Sequence, residues 1–256
     1  MTTALVTGAS EGIGKELAIE CAADGNDVVL VARSEDKLRA IAAEIDASYR
    51  VRTHVLPADL TDRDAPGRIV ERLQSQAITV DILINNAGFG TLGPFLSIDL
   101  PSTIRIIELN MIALTAFVRL LGPGMVERKR GFILNVASTA AFQPGPLMAA
   151  YYASKAYVLH LSEALANELK GTGVSVTALC PGPTRTGFQA RAGMESVRMM
   201  KGPVMDAKSV ARIGYRGMTR GKRIVIPGFL NKVVAQSYRV SPRWLTASVV
   251  RWIQEP

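Results

Sequence analysis

Tyr151 and Lys155 stand four residues apart in a chain of 256 residues, inside a stretch, 151–170, whose apolar positions suit an α-helix. That spacing puts phenol and ammonium on one helical face, about 6 Å apart along the axis. A free tyrosine, with a pKa of about 10, is a poor base near neutrality, but an ammonium held close favours the phenolate and makes the pair fit to exchange a proton with a reacting oxygen. Tyr152 stands three residues before the same lysine. Neighbouring helical residues point about 100° apart, so only one of the two tyrosines can face a reacting group. Taken alone, a Tyr and a Lys one turn apart also describe the surface of an ordinary amphipathic helix.

A second cluster suits an anion. Thr7-Gly8-Ala9-Ser10-Glu11-Gly12-Ile13-Gly14 follows an apolar run and is followed by Lys15 and an amphipathic stretch. Glycines where a strand turns into a helix let backbone N–H groups and the positive helix end approach a pyrophosphate, although a plain tight turn has the same composition. Asn85-Asn86-Ala87-Gly88 follows the apolar residues 82–84, and Pro181-Gly182-Pro183-Thr184-Arg185-Thr186 follows 174–179. Ser138 follows 132–136 and precedes Tyr151 by thirteen residues. Its hydroxyl can hold a carbonyl or alcohol oxygen, with Thr139 as a substitute; the plainer role for either is to cap the next element. Asn110 sits within a long apolar helical stretch, where asparagine is locally unfavourable.

The elements that must position these groups follow from the apolar rhythm. Val/Ile/Leu-rich runs at 4–6, 28–31, 51–56, 82–84, 132–136, 174–179 and 224–226 read as strands buried on both faces. Helix-length stretches lie between them at 12–23, 35–47, 64–74, 101–126, 151–170 and 206–219. Strand and helix in alternation predict one α/β domain over 1–256, a doubly wound parallel sheet with helices on both faces. Neither a repeat nor a linker divides the chain.

Thr7-Gly8-x-x-x-Gly12-x-Gly14, Asn85-Asn86-Ala87-Gly88, Ser138, Tyr151-x-x-x-Lys155 and Pro181-Gly182 stand in the order and at the spacings of the short-chain dehydrogenase/reductase family, which residues 3–190 resemble. The resemblance implies a Rossmann-like sheet of about seven strands, a nicotinamide cofactor, and metal-free interconversion of an alcohol and a carbonyl on a small-molecule substrate. It assigns catalysis to Asn110, Ser138, Tyr151 and Lys155, with Lys155 also bonding the nicotinamide ribose and the Asn110 backbone carbonyl holding a water. It assigns cofactor binding to Gly8, Ser10, Gly12, Ile13 and Gly14 at the phosphates, and to Asp59 and Leu60 beside the adenine. Asn86, Ala87 and Gly88 would close the cleft, and Pro181, Gly182, Thr184 and Thr186 would meet the carboxamide. Where an NAD-specific member presents an Asp, this chain has Ala32, followed by Arg33 and Ser34 suited to a 2′-phosphate. That predicts NADP, with NAD as the alternative; Glu11 argues the other way, because many NADP-preferring relatives carry a basic residue there. The rival reading of the whole chain is a catalytically silent dinucleotide-binding relative.

Composition bounds the rest. With 2 Cys and 2 His the chain can build neither a disulfide framework nor a His/Cys zinc cluster. The first apolar run starts three residues after Met1, which predicts no leader and a cytoplasmic protein. No window is long and uncharged enough to predict a membrane span. The formal charge of +8 is lopsided: residues 1–190 hold 17 Lys+Arg against 19 Asp+Glu, residues 191–256 hold 13 against 3. Nucleic acid, an anionic membrane, an anionic substrate or a solvated face could each answer to that charge; no nucleic acid is expected. Residues 187–205 are expected to cover the substrate, with Met194, Met199, Met200 and Met205 suited to a bulky apolar one. In the basic extension, 227–256, Leu245, Val249, Trp252 and Ile253 form a helical stripe near Arg239, Arg243 and Arg251. Packing of that stripe on the protein itself is expected in preference to peripheral membrane contact. The family implies a homodimer through the helices near Pro101 and Tyr151, with a tetramer less supported because its usual Asp-Gly-Gly ending is absent.

Overall fold

A computed structural model describes residues 2–194, 196–202, 204–238 and 241–255. Strands β1 (Thr3–Thr7) and β2 (Asp27–Ala32) are buried along their whole length, which is why they read as unbroken apolar runs rather than alternating ones. With β3 (Thr53–Pro57), β4 (Ile82–Asn85), β5 (Gly131–Val136), β6 (Val174–Leu179) and β9 (Ile224–Val225) they form a seven-stranded parallel sheet in the order β3-β2-β1-β4-β5-β6-β9. The order reverses between β1 and β4. At such a switch point two crossovers leave in opposite directions and open a crevice beyond the carboxyl ends of the strands.

Helices α1 (Gly12–Ala23), α2 (Glu35–Ser48) and α8 (Ala207–Thr219) cover one face through Leu17, Leu38, Ile45, Val210 and Met218. On the other face α3 (Ala65–Ser75), α5 (Leu114–Glu127) and α6 (Ala149–Glu168) pack around Leu73, Phe117 and Val158. The helix expected over 101–126 is interrupted. α4 (Leu100–Ile107) passes through a π-helical segment, Glu108–Ala113, before α5 begins. The reason is Asn110, 1% exposed, whose side chain is bonded to groups outside its own helix, a tertiary demand that apolar periodicity does not register.

Two short parallel strands, β7 (Thr184–Arg185) and β8 (Met205–Asp206), bracket the expected lid, which carries α7 (Phe188–Ala192) and a 3₁₀ turn at Arg198–Lys201. Met205 departs from the expectation: it lies in β8 against the α1/α8 side, while Met194, Met199 and Met200 join the cluster around Met148 and Tyr152.

The tail folds into α9 (Phe229–Ser237) and α10 (Arg243–Gln254). Helix α10 does pack on the protein, but not by the expected stripe. Leu245, Val249 and Trp252 are exposed, Ile253 is part-buried, and the buried side carries Val250 and Gln254. Val250 joins Met148, Tyr152, Met194 and Val197, and Gln254 Nε2 donates to the Tyr152 hydroxyl over 2.7 Å. A buried polar partner and a close-fitting valine outweigh the more apolar face because an unpaired buried hydroxyl is costly. Arg239 lies outside the described residues.

This packing predicts the cost of undoing it. Val250→Ala should lower stability by about 1–3 kcal/mol through lost contact and a residual cavity. Gln254→Leu, which leaves the Tyr152 hydroxyl without its donor, should cost about 1–3 kcal/mol. Urea unfolding of both against wild type measures it, and Leu245→Ala on the exposed side should change little.

Candidate active site

The crevice at the switch point is built from two strand ends stapled together. Asn86, just after β4, donates through Nδ2 to the carbonyl oxygens of Thr7 (3.0 Å) and Gly8 (3.1 Å). In return the Thr7 hydroxyl accepts from the backbone N–H groups of Asn86 and Ala87, each at 3.0 Å. Between these strands the glycine turn runs so close that a methyl group at Gly14 would collide with the Gly8 carbonyl oxygen and the Asn86 amide. Gly8 also takes φ +65°, where side chains are disfavoured. Ser10 lies in the turn, and Ile13 packs beneath it on the α1 side. The result is a bare backbone rim at the start of α1, where the helix presents its positive end.

Acidic and basic side chains edge that rim. Glu11, one residue before Gly12, pairs with Arg191 of α7 and, at 3.3 Å, with Lys37 of α2. Burial raises its carboxyl, but the Arg191 and Lys37 contacts prevail and hold it below the usual carboxylate range. The carboxylate is thus neutralised from two sides, and Thr186 lies against Gly12, so the lid starts directly over the glycine turn. Arg33 at the end of β2 is exposed and meets no carboxylate among the described residues, and Ser34 beside it precedes α2. Asp59 is exposed, with Oδ1 accepting from the Thr61 N–H and hydroxyl, and Leu60 is buried beneath.

Around Tyr151 the groups of four elements meet. Lys155 Nζ, in the buried interior of α6, donates to the Val136 carbonyl at the end of β5 over 2.7 Å and lies 5.8 Å from the centre of the Tyr151 ring. Asn110 staples the next loop to α6: its Nδ2 donates to Ser154 Oγ (2.9 Å) and to the Phe89 carbonyl (3.0 Å), and its Oδ1 accepts from the Phe89 N–H (3.1 Å). Gly88 lies against both Asn110 and Lys155. Ser138 caps the turn Thr139–Phe142 by accepting from the Ala140 N–H at 3.1 Å, and its hydroxyl donates to the Pro181 carbonyl at 3.5 Å.

The two tyrosines part as helical geometry demands. Tyr151 faces Ser138 and the ring of Phe188, 5.3 Å away; Tyr152 is buried, with its ring on Gly145 and its hydroxyl on Gln254. Burial pushes Tyr151 up to about 12, partly offset by Ser138, and pushes Lys155 down to about 8. This corrects the expectation that the lysine draws the phenol down. Nζ is spent on the Val136 carbonyl rather than on the phenolic oxygen, so desolvation decides both groups.

Beyond the pair, Thr139 N donates to the Pro181 carbonyl at 2.9 Å, Thr184 Oγ1 donates to the Gly182 carbonyl at 2.9 Å, and Thr186 Oγ1 bonds Gln189 at 3.3 Å. Patterning does not single out Gly90, Gln189 or Asn231. A methyl at Gly90 would come within 2.9 Å of Met148 and 3.0 Å of the Tyr151 ring; Gln189 Nε2 ties α7 to the Thr184 carbonyl at 2.6 Å; Asn231 of α9 lies against Gly182. Only Gly90 had a signal to find, its nearness to Gly88.

This constellation has counterparts. A model of the short chain dehydrogenase family matches residues 2–196. The very-long-chain 3-oxoacyl-CoA reductase of the duck Anas platyrhynchos is 39% identical over 184 residues, 70% of this chain. The chain spans 58% of that relative's length. A solved short-chain dehydrogenase from Sphingobium yanoikuyae in complex with NADPH superposes with a TM-score of 0.83 at 34% identity, covering 95% of this chain and 97% of that one. The bulky-bulky ketone specific alcohol dehydrogenase from Comamonas testosteroni does so at 0.79 and 30%, covering 95% of each. The chain belongs to the short-chain dehydrogenase family.

Proposed function

We propose that the protein is an NADP(H)-dependent reductase that turns a ketone carrying a large apolar substituent, with long-chain 3-oxoacyl thioesters as the leading substrate class, into the alcohol. The observation that carries the reaction type is the Ser138–Tyr151–Lys155 group at the mouth of the switch-point crevice, with Lys155 buried and Ser138 and Tyr151 half-buried. A purely dinucleotide-binding relative has no use for all three. The bare rim of Gly8, Gly12 and Gly14 fits a pyrophosphate, and Arg33 with Ser34 fits a 2′-phosphate; the opposing sign of Glu11 is cancelled by Arg191 and Lys37. A nicotinamide dinucleotide in this crevice supplies the hydride.

The chain's own residues manage the oxygen. Ser138 donates to the substrate carbonyl and fixes it beside Tyr151. A phenol pushed up to about 12 is protonated throughout the neutral range, which suits it to serve as proton donor to the oxygen. Lys155, still largely protonated at neutral pH, is in place to bond a ribose, and Asn110 positions the loop against which Lys155 stands. Phe188 against Tyr151, with Leu92, Met199 and Met200 of the same apolar cluster, supports an apolar substrate, and the names of the Anas and Comamonas proteins support its class. Exposed Leu96, Leu100 and Ile104 at and before α4 support a homodimer.

NADPH oxidation against ketones and 3-oxoacyl thioesters graded by chain length tests the proposal; activity confined to small hydrophilic carbonyls would refute the substrate class. Tyr151→Phe should lose turnover by about 10²–10⁴ while still binding NADPH, and Tyr152→Phe should keep most of kcat and lose stability instead. Retained turnover in the first with collapse in the second would reverse the assignment. Arg33→Ala should weaken NADPH binding by about 1.5–3 kcal/mol and leave NADH nearly unchanged, as titration by fluorescence would read. The Lys155 ammonium loses its proton as pH rises through about 8, so NADPH affinity should fall across that value in wild type. In Lys155→Met it should be weak and flat with pH.

A further inference from the structure

We propose that α9 and α10 form a docking surface for an anionic lipid bilayer, lying in its interface without crossing it. Each helix turns its more apolar side away from the core. At 100° per residue, Ala235 marks the buried side of α9, and Phe229, Leu230, Val233 and Val234 fall on the arc opposite it. On α10, Val250 and Gln254 are buried, and Trp244, Leu245, Val249 and Trp252 fall on the far arc. Phe229 is 82% exposed, Trp244 72% and Trp252 58%. Scattered apolar residues need no explanation, but eight on two consecutive helices, each arc turned from the side its own helix buries, mark faces that something covers.

Charge selects the occupant. From Ala207 to Gln254 the chain holds ten Lys and Arg and neither an Asp nor a Glu, six of the cations between Lys208 and Arg223 and four from Lys232 onward. Lys232 on α9 and Arg251 on α10 are exposed beside the apolar arcs. The acid that follows, Glu255, is engaged by Arg251 and Arg198. A second copy of the chain would bring like charge against like charge across a two-fold interface. A nucleic acid would satisfy the cations but leave the tryptophans and leucines in water. A bilayer with anionic headgroups answers both, since an interfacial helix buries its apolar face among the acyl chains, sets tryptophan at the headgroup level and gains from each nearby cation. No described helix is long and apolar enough to cross a membrane, which agrees with a helix lying in the plane.

Both tryptophans of the chain are in α10, so intrinsic emission reports on this helix alone. The full chain is mixed with vesicles of phosphatidylcholine alone or with a third of phosphatidylserine, and bound protein is separated by flotation. Binding should be about tenfold stronger to the anionic vesicles, fall with salt, and shift tryptophan emission to the blue. The double variants Leu245→Glu/Val249→Glu and Leu230→Glu/Val233→Glu should abolish binding while keeping wild-type melting temperature and NADPH affinity. No binding to anionic vesicles overturns the proposal, as does equal binding to neutral ones. So does binding that survives both double variants. Concentration-dependent dimerisation lost in those variants without vesicle binding would assign the surface to a second copy, and retention on heparin and duplex DNA without vesicle binding would assign it to polyanions.

Discussion

The architecture of the site hangs on the amide of Asn86. Parallel strands give no hairpin to join β1 and β4, whose chain positions are almost eighty residues apart, and their loops must nevertheless meet at backbone distance. Asn86 Nδ2 satisfies the Thr7 and Gly8 carbonyls while the Thr7 hydroxyl satisfies two N–H groups in return. Four backbone polar groups at the end of a buried sheet are thereby paired without an intervening ladder. The glycine turn takes its shape from that junction, and the loop that continues from it brings Gly88 to Lys155 and Gly90 to Tyr151.

Desolvation is the second organiser. The same burial that lifts the Tyr151 phenol lowers the Lys155 ammonium, so each group is moved toward its neutral form. The Val136 carbonyl keeps Nζ bonded inside the fold, and Asn110 holds the adjacent loop by three hydrogen bonds, at the expense of a regular helix. A π segment at this place is the local distortion by which a buried amide reaches two other elements at once.

The lid and tail are tied to this frame by contacts that span the chain. Glu11 and Arg191 join the glycine turn to α7, Gln189 joins α7 to β7, and Gln254 joins the last helix to Tyr152, next in sequence to Tyr151. The segment 187–205, the glycine turn and the chain end are therefore mechanically connected, and Met194, Met199 and Met200 share an apolar cluster with Tyr152 within that connection.

By itself the amino-acid sequence determined the doubly wound sheet, the seven strands within a residue or two, the glycine turn and the Tyr151–Lys155 step, because each is written in local spacing: buried strands as apolar runs, a helical face as a four-residue step, a tight turn as glycines; Ser138 was reached only through the family resemblance. Tertiary structure decided what depends on partners far along the chain. It broke the 101–126 helix at Asn110, turned Glu11 from an argument against a phosphate into a neutralised carboxylate, and raised rather than lowered the Tyr151 pKa. It also buried Val250 and Gln254 in place of the stripe through Leu245 and Trp252. Hydrophobic periodicity states that a helix has an apolar side; which of two sides meets the core is fixed by the shape and hydrogen-bonding groups it docks against, and those arrive only when the chain has folded.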